Sequence, residues 1–289
     1  MTNLVHIGGM TFNIAAQPLA DQLVCEALDG WFGSPSMRAD TSDRSNSDGA
    51  FGSVKNYRSA RVITFRGSLL GDNPTQAQAE LWDTFAAIQS DGQPFTFSVE
   101  NDIGIRSCTV SLSGEASIEV LSDFRTAEVT AQFIAYDPVK YGPAVDYNTG
   151  LATGGGGLEY NLFDGGAGGA LYYGANGNLG RVEVTNSGTA DVSPVFLITG
   201  ELTNGFYIQC LETGQVLRYD RVVPAGSTVT LDARTGEVLV DGVSDASTYL
   251  TIDQWFRIPA GGSCTIQFNA ISGSSGTPTM TVTSSDGFW

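Results

Sequence analysis

Ala127-Glu-Val-Thr-Ala-Gln-Phe-Ile-Ala135 places Ala127, Val129, Ala131, Phe133 and Ala135 on every second position. Successive side chains of a strand point to opposite faces, so this run spells a long strand with one face in a core. Shorter runs of the same period surround it. Arg61–Arg66 sets Ile63 and Phe65 on one side, and Phe95–Val99, Arg106–Leu112 and Ala116–Leu121 follow the same rule. Residues 1–35 read as two or three short strands with the first turn at Gly8-Gly9. The first half of the chain is therefore expected to be a β-sheet rolled towards a barrel.

One helix interrupts the strands, near 74–91. Asn73-Pro74 offers a capping side chain before a proline at the first helical position, and Gln76 completes a pattern close to a capping box. Ala77, Leu81, Phe85 and Ile88 recur at helical spacing with Trp82 flanking the stripe, and Gly92 stands where a C-terminal cap belongs. Such a helix should lie across the sheet and plug it. The first domain is placed at 1–140.

Asp137-Pro138, Gly142-Pro143 and the TGGGG run at Thr153–Gly157 read as punctuation, so 141–157 is expected to be a Gly/Pro-rich linker. From 158 to 289 the pattern is purely β. Val182/Val184, Val195/Leu197, Phe206/Ile208, Val229/Leu231, Val238/Val240, Ile266/Phe268 and Met280/Val282 mark short strands. Thr213-Gly214 and Thr235-Gly236 read as hairpin turns. That density of strands predicts a two-sheet sandwich. The fold class is all-β with one helix.

The 289 residues carry 14 basic and 31 acidic side chains, a net charge of −17, which argues against nonspecific affinity for nucleic acid or an anionic membrane. The first residues have neither a basic segment nor a long apolar run, so neither a secretory signal nor a membrane span is expected. Against this acidic background, Gly30–Gly67 is locally basic: Arg38, Arg44, Lys55, Arg58, Arg61 and Arg66 face only Asp40, Asp43 and Asp48. A polar loop with aromatics at its edges and an inverted charge balance is expected to meet a partner.

Motifs for chemistry are wanting. His6 is the single histidine and no G-x-S-x-G occurs, so a nucleophilic triad has no support and the histidine reads as structural. The histidine count excludes a His-based zinc site. Cys25, Cys108, Cys210 and Cys264 are widely spaced without CxxC, and are read as buried free thiols rather than disulfides or ligands. Asn46-Ser-Asp48-Gly49 mimics part of a calcium loop but puts Arg44 and Lys55 at ligand positions. Gly165–Gly169 reads as a turn, and no phosphate-binding glycine motif occurs. No pair of carboxylates stands out for glycoside hydrolysis. The chain is read as a non-enzyme without cofactor or metal. Aromatic pairs at Tyr172-Tyr173, Trp255-Phe256 and Phe288-Trp289 could stack on sugar rings.

GWFGSP at Gly30–Pro35, Asp48-Gly-Ala-Phe51, Arg61-Val-Ile-Thr-Phe-Arg-Gly67 and the helix after it resemble the N-terminal domain of the siphophage distal tail protein (Dit) family. In phages of actinobacteria such proteins are often called minor tail proteins. The likeness continues in Tyr136-Asp-Pro-Val-Lys-Tyr141, Val184–Ala190, Pro194–Gly200, Trp255–Gly261 and Cys264–Phe268, in family order. The resemblance implies a barrel-like domain that assembles, usually as a homohexameric ring, at the distal end of a long non-contractile tail, with a galectin-like sandwich projecting from it. It implies tail-tube protein, tail-tip hub or tail-associated lysin, tape-measure protein and fibre or receptor-binding proteins as partners, with DNA passing through the channel unbound and no membrane insertion. Such a protein is assembled in the host cytoplasm and resides in the virion.

On that resemblance Arg38, Arg44, Asp48, Phe51, Arg58 and Arg61 are expected to form an inter-subunit interface, so that reversing the arginines weakens the ring without unfolding the barrel. An acidic channel wall would keep DNA sliding. The alternative is a glycan-binding adhesin module using Tyr172, Tyr173 and Trp255. It would have to do so without the galectin His-x-Asn-x-Arg motif, because His6 lies outside that domain.

Overall fold

The computed structural model describes residues 3–14, 22–39, 41–52, 56–70, 79, 81–83, 85–88, 92–120, 126–153, 158–160, 171–173 and 177–289. The chain divides into two compact units, one formed by Met1–Pro143 with Phe288–Trp289 and the other by Ala144–Gly287.

The first unit contains β1 (Leu4–Ile7), β2 (Met10–Asn13), β3 (Gln22–Asp29), β4 (Arg61–Leu70), β5 (Phe95–Asn101), β6 (Gly104–Leu112), β7 (Ser117–Val120) and β8 (Thr126–Ala135). Seven of these run in the order β8-β4-β3-β2-β1-β5-β6, and β6 returns to β8 through Ser111↔Ile134 and Leu112↔Phe133. The sheet is thus a closed barrel, with β7 as a spur on β8. Closure removes the unpaired edges that open sheets must otherwise protect. The predicted alternation is what fills it: Ala127, Val129, Ala131, Phe133 and Ala135 are all buried, against Ile63, Phe65, Phe97, Val99 and Val110. Phe95, Phe97 and Phe133 pack ring on ring, with centroids 5.6 and 5.7 Å apart.

Residues 79, 81–83 and 85–88 are helical, and Leu81 and Phe85 are buried in the same core. Leu81, Phe85 and the half-buried Ile88 of the expected stripe therefore plug the barrel, Ala77 lies outside the described residues, and Trp82 points outward, 57 % exposed. Gly92 has φ +61°, as a C-terminal cap requires. The Asn73-Pro74 cap lies outside the described residues. No helix among them is long and apolar enough to cross a membrane.

The expected linker differs from the structure. Lys140–Gly150 is one strand, β9, and from Ala144 it is an edge of the second unit. Its polar alternation reads as loop because one row of side chains bonds across the strand pair rather than entering the core: Thr281 and Thr283 donate to Asn148 and Asp146, both at 2.6 Å. Within the 141–157 stretch, residues 154–157 lie outside the described ones, and Gly165–Gly169 does as well.

The second unit continues with β10 (Arg181–Asn186), β11 (Val195–Leu202), β12 (Phe206–Cys210), β13 (Val216–Tyr219), β14 (Thr228–Asp232), β15 (Glu237–Val240), β16 (Ser244–Asp245), β17 (Leu250–Asp253), β18 (Gly262–Ala270) and β19 (Ser274–Phe288). One sheet has the order β9-β19-β11-β14-β15-β16 and the other β10-β18-β12-β13-β17. Phe196, Ile198, Val229, Leu231, Met280 and Val282 of the first, and Val184, Phe206, Ile208, Ile266 and Phe268 of the second, are buried. This is the expected sandwich. Gly214 and Gly236 turn its predicted hairpins with φ +71° and +78°.

The Val184–Ala190 motif has a structural reason. Asn186 is buried and its Nδ2 donates to the carbonyls of Ala190, Ile258 and Pro259 at 2.8–3.3 Å, while its Oδ1 accepts from the N–H of Gly188 and Gly287. One amide satisfies backbone groups of three segments, which few other side chains can do.

Candidate assembly interface

The locally basic segment leaves β3 at Gly30 and rejoins the barrel at Arg61. Gly30 has φ +81°, and a Cβ there would collide with the carbonyl oxygen of Val62, so only glycine fits the exit turn. Trp31 follows, 2 % exposed, its ring 5.2 Å from that of Phe97.

Two buried cations lock this exit. Arg61, 1 % exposed, donates from Nη1 to the carbonyls of Gly30 and Gly33 at 2.7 Å and of Trp31 at 3.2 Å, and from Nε to Pro138 at 3.1 Å. The second Nη1 bond at 2.7 Å is the one to Gly33. Lys140 Nζ, also buried, donates to Trp31 O at 2.9 Å and sits 5.5 Å from its ring. No carboxylate forms an ion pair with either cation among the described residues. Both are therefore held by carbonyl dipoles. Burial lowers the Arg61 pKa, and burial with repulsion from Arg61 and Arg106 brings that of Lys140 down to about 8. Burial lifts the nearby Cys108 thiol to about 12, so it stays protonated and inert.

Beyond this base the segment is a two-stranded arm. Met37–Arg38 pairs with Tyr57–Arg58, and Thr41–Asp43 pairs with Ala50–Gly52, in antiparallel register. Arg44 N–H donates to Gly49 O at 3.1 Å, and Gly49 takes φ +97° at the tip. Every described residue from Ser36 to Tyr57 is exposed. Met37, Phe51 and Tyr57 expose 53, 63 and 62 % of their surface, and Phe32 at the root exposes 65 %. An isolated two-stranded ribbon with both faces in water is marginal by itself. Exposed aromatics of this number are more than a solvated connection needs.

The six residues singled out from the sequence fall into three places. Arg38, Arg44, Asp48 and Phe51 are on the exposed arm, with the Arg44 guanidinium 5.1 Å from the Phe51 ring centre. Arg58 sits at the root. It donates to Ser34 Oγ and stacks 4.2 Å over the ring of Trp289. Arg61 departs from the expectation altogether, because four backbone acceptors draw it inside and no guanidinium surface remains for a neighbour.

Phe288 and Trp289 are a further correction. The sequence pattern places them in the second domain, yet they belong to the first unit, where Arg106 stacks 3.8 Å over Phe288. Their cation–π partners Arg58 and Arg106 lie far along the sequence, so no local spacing places them. Of the sugar-stacking candidates, Tyr172 and Tyr173 lie on the short strand Leu171–Tyr173, paired with Leu158–Tyr160. Trp255 lines an open groove of about 690 Å³ with Thr213, Gln215, Asp253 and Gln254. His6 bonds Thr11 across the β1–β2 ladder at 2.9 Å and lies 3.7 Å from Glu100, an inter-strand role.

With this geometry in view, three findings from known proteins bear on the chain. Residues 187–284 match the family model described as siphovirus-type tail component, C-terminal domain. A comparison with curated protein sequences finds no match. Among solved structures the chain resembles SPP1 Dit (gp 19.1), described as a paradigm of the hub adsorption apparatus in phages infecting Gram-positive bacteria. The TM-score is 0.61 at 13 % identity over 99 % of both chains. It also resembles a chain of the phage p2 baseplate in its activated conformation, with calcium (TM-score 0.53, 9 % identity) and with strontium (0.53, 10 %), over 98 % of this chain and 97 % of that one. The chain therefore has the fold of SPP1 Dit, and its residues 187–284 carry the sequence pattern of the siphovirus-type tail component, C-terminal domain.

Proposed function

We propose that the chain is a non-enzymatic structural component of a long non-contractile phage tail, which forms a ring, six-membered by the family's habit, at the distal end of the tail tube. The ring joins the tube to the tail-tip hub and fibres, and DNA and the tape-measure protein pass through it. The observation that carries this reading is the likeness to SPP1 Dit along the whole of both chains. The exposed arm gives it a physical means. A rigid root with an arm that exposes a few large apolar side chains and the arginines Arg38 and Arg44 offers a heterologous contact: the arm of one copy covers the barrel of the next, and rotation closes the ring. Met37, Phe51 and Tyr57 would supply the buried area, while Arg38 and Arg44 find acidic surface on a chain of net charge −17 and set the register.

Light scattering with negative-stain imaging tests this directly. A ring with a central channel is expected, formed by the protein alone or on tail-tube and hub proteins. A monomer that stays monomeric in both cases overturns it.

One observation favours a second role within the same particle. The groove is lined by Trp255 together with Gln215, Gln254 and Asp253, an aromatic and polar groups of the kind that hold a sugar ring. Gln215 Nε2 is committed to Trp255 O at 2.9 Å, which fixes the groove wall. Glycan-array binding by the full chain, lost in Trp255→Ala, would establish this adhesin role.

A further inference from the structure

We propose that Cys210, Glu212 and Cys264 form a binding site for a thiophilic divalent cation, zinc in the first place. Cys210 ends β12, which pairs with β18 in the register Cys210↔Ile266. Cys264 is two residues from Ile266 on the same strand, so both thiols lie on one face of neighbouring strands, diagonal to each other. Both are buried. Glu212 lies two residues beyond Cys210, in the turn to β13, and the backbone N–H of Thr265 donates to both of its oxygens at 2.9 and 2.8 Å. That bond folds the carboxylate back over the thiols, and Glu212 Oε2 stands 3.4 Å from Cys210 Sγ.

The three ligand atoms all lie within 4.8 Å of one another. In a tetrahedral zinc site, with Zn–S about 2.3 Å and Zn–O about 2.0–2.2 Å, the ligand-to-ligand edges are about 3.5–3.8 Å. The Cys210–Glu212 edge, at 3.4 Å, falls just short of that range, and small side-chain rotations open it and bring in Cys264. Two sulfurs and one oxygen suit zinc and exclude the all-oxygen preference of calcium or magnesium. The Thr265 N–H is the outer bond that orients a ligand carboxylate. Glu212 is exposed, which gives the ion its entry and leaves the fourth position to water. Each thiol gives up its proton to solvent on binding, so uptake of one Zn²⁺ releases two protons and tightens as pH rises. The ion would tie the Thr213-Gly214 hairpin to β18. A spacing of Cys-x-Glu with a distant cysteine is no recognised metal pattern, so the sequence alone reads these thiols as buried and free.

The test is calorimetric titration of Zn²⁺ into the reduced, chelator-treated full chain, in two buffers of different ionisation enthalpy, with Co²⁺ as a spectroscopic probe. One ion per chain, release of close to two protons and a thiolate-to-cobalt charge-transfer band are expected. Cys210→Ser and Cys264→Ser should lose saturable binding, and Glu212→Gln should weaken it about tenfold or more. Because Glu212 is exposed, that variant keeps the test open should the cysteine variants fail to fold. Absence of saturable Zn²⁺ binding, a cobalt spectrum without the thiolate band, or unchanged affinity in Glu212→Gln together with a folded cysteine variant would overturn the site.

Discussion

Arg61 and Arg44 lie in one locally basic stretch of sequence, and the fold puts them to opposite uses. Arg61 is spent inside, on the carbonyls of Gly30, Trp31, Gly33 and Pro138. Arg44 stays in water beside Phe51, with its charge available to a neighbour. The difference lies in what surrounds each one. At the root the chain makes a tight exit whose carbonyls point inward and need donors. Along the arm the backbone groups pair with each other, and the side chains are left over. A charge reversal is thus a folding experiment at one end of the segment and an assembly experiment at the other.

Arg61→Met should give the largest effect. It strands buried carbonyls that a methionine cannot satisfy, and a cost of about 3 kcal/mol or more in unfolding free energy is expected. Denaturant unfolding of the monomer checks this; a midpoint close to wild type would mean that the root is held by something else. Gly30→Ala should follow. Its backbone stands in the left-handed region and its Cβ would collide with Val62 O, so a loss of about 1–3 kcal/mol is expected from strain. A crystal structure of a stable Gly30→Ala protein with an unmoved exit turn would refute the argument.

Lys140 makes the root sensitive to pH, and the sign can be worked out. Its pKa falls from 10.5 to about 8 on folding, so between these values the unfolded chain binds more protons and stability rises with pH. From pH 8 to 9 the gain should be about 1 kcal/mol relative to Lys140→Met. Above pH 9 the thiols act the other way. Cys25 and Cys108 are lifted from 9.0 to about 11 and about 12, so their contribution is complete below pH 9 and is lost as pH climbs through those values. Stability against pH should therefore show a shallow maximum near pH 9 in the wild type, and the rising limb should vanish in Lys140→Met. A rising limb that persists in the variant would remove Lys140 as its cause.

The barrel strands, the plugging helix and the sandwich were legible because each buries one face, and burial writes a period into the sequence. Ala127–Ala135 and the Leu81/Phe85 stripe are the clearest cases. What was not legible was set by polar bonds without a period. Lys140–Gly150 reads as a linker since its outward Asp146 and Asn148 bond to threonines far along the chain. Arg61 reads as surface because nothing local announces four inward carbonyls. Phe288 and Trp289 are placed by Arg106 and Arg58, which no spacing rule connects to the chain's last residues. The exposed arm was legible as a polar stretch with aromatics, while the division between root and arm was not.

That division sharpens the smallest effect on stability into the most telling one on assembly. Arg38→Glu with Arg44→Glu changes only exposed side chains, so the monomer should lose at most about 0.5 kcal/mol, the cation–π contact with Phe51 included. On the proposed arm-to-barrel contact assembly should respond far more, because two charges per arm would change sign and meet acidic surface as like charges. The expected result is a folded protein with a wild-type unfolding midpoint and a smaller mass by light scattering, with the deficit eased at high salt, where exposed charges are screened. Arg58→Glu separates the two roles further. It removes the stack on Trp289 as well as a charge, so it should lower both the midpoint and the mass. A double variant of the arm that keeps the wild-type mass at low salt would place the subunit contact away from residues 37–57.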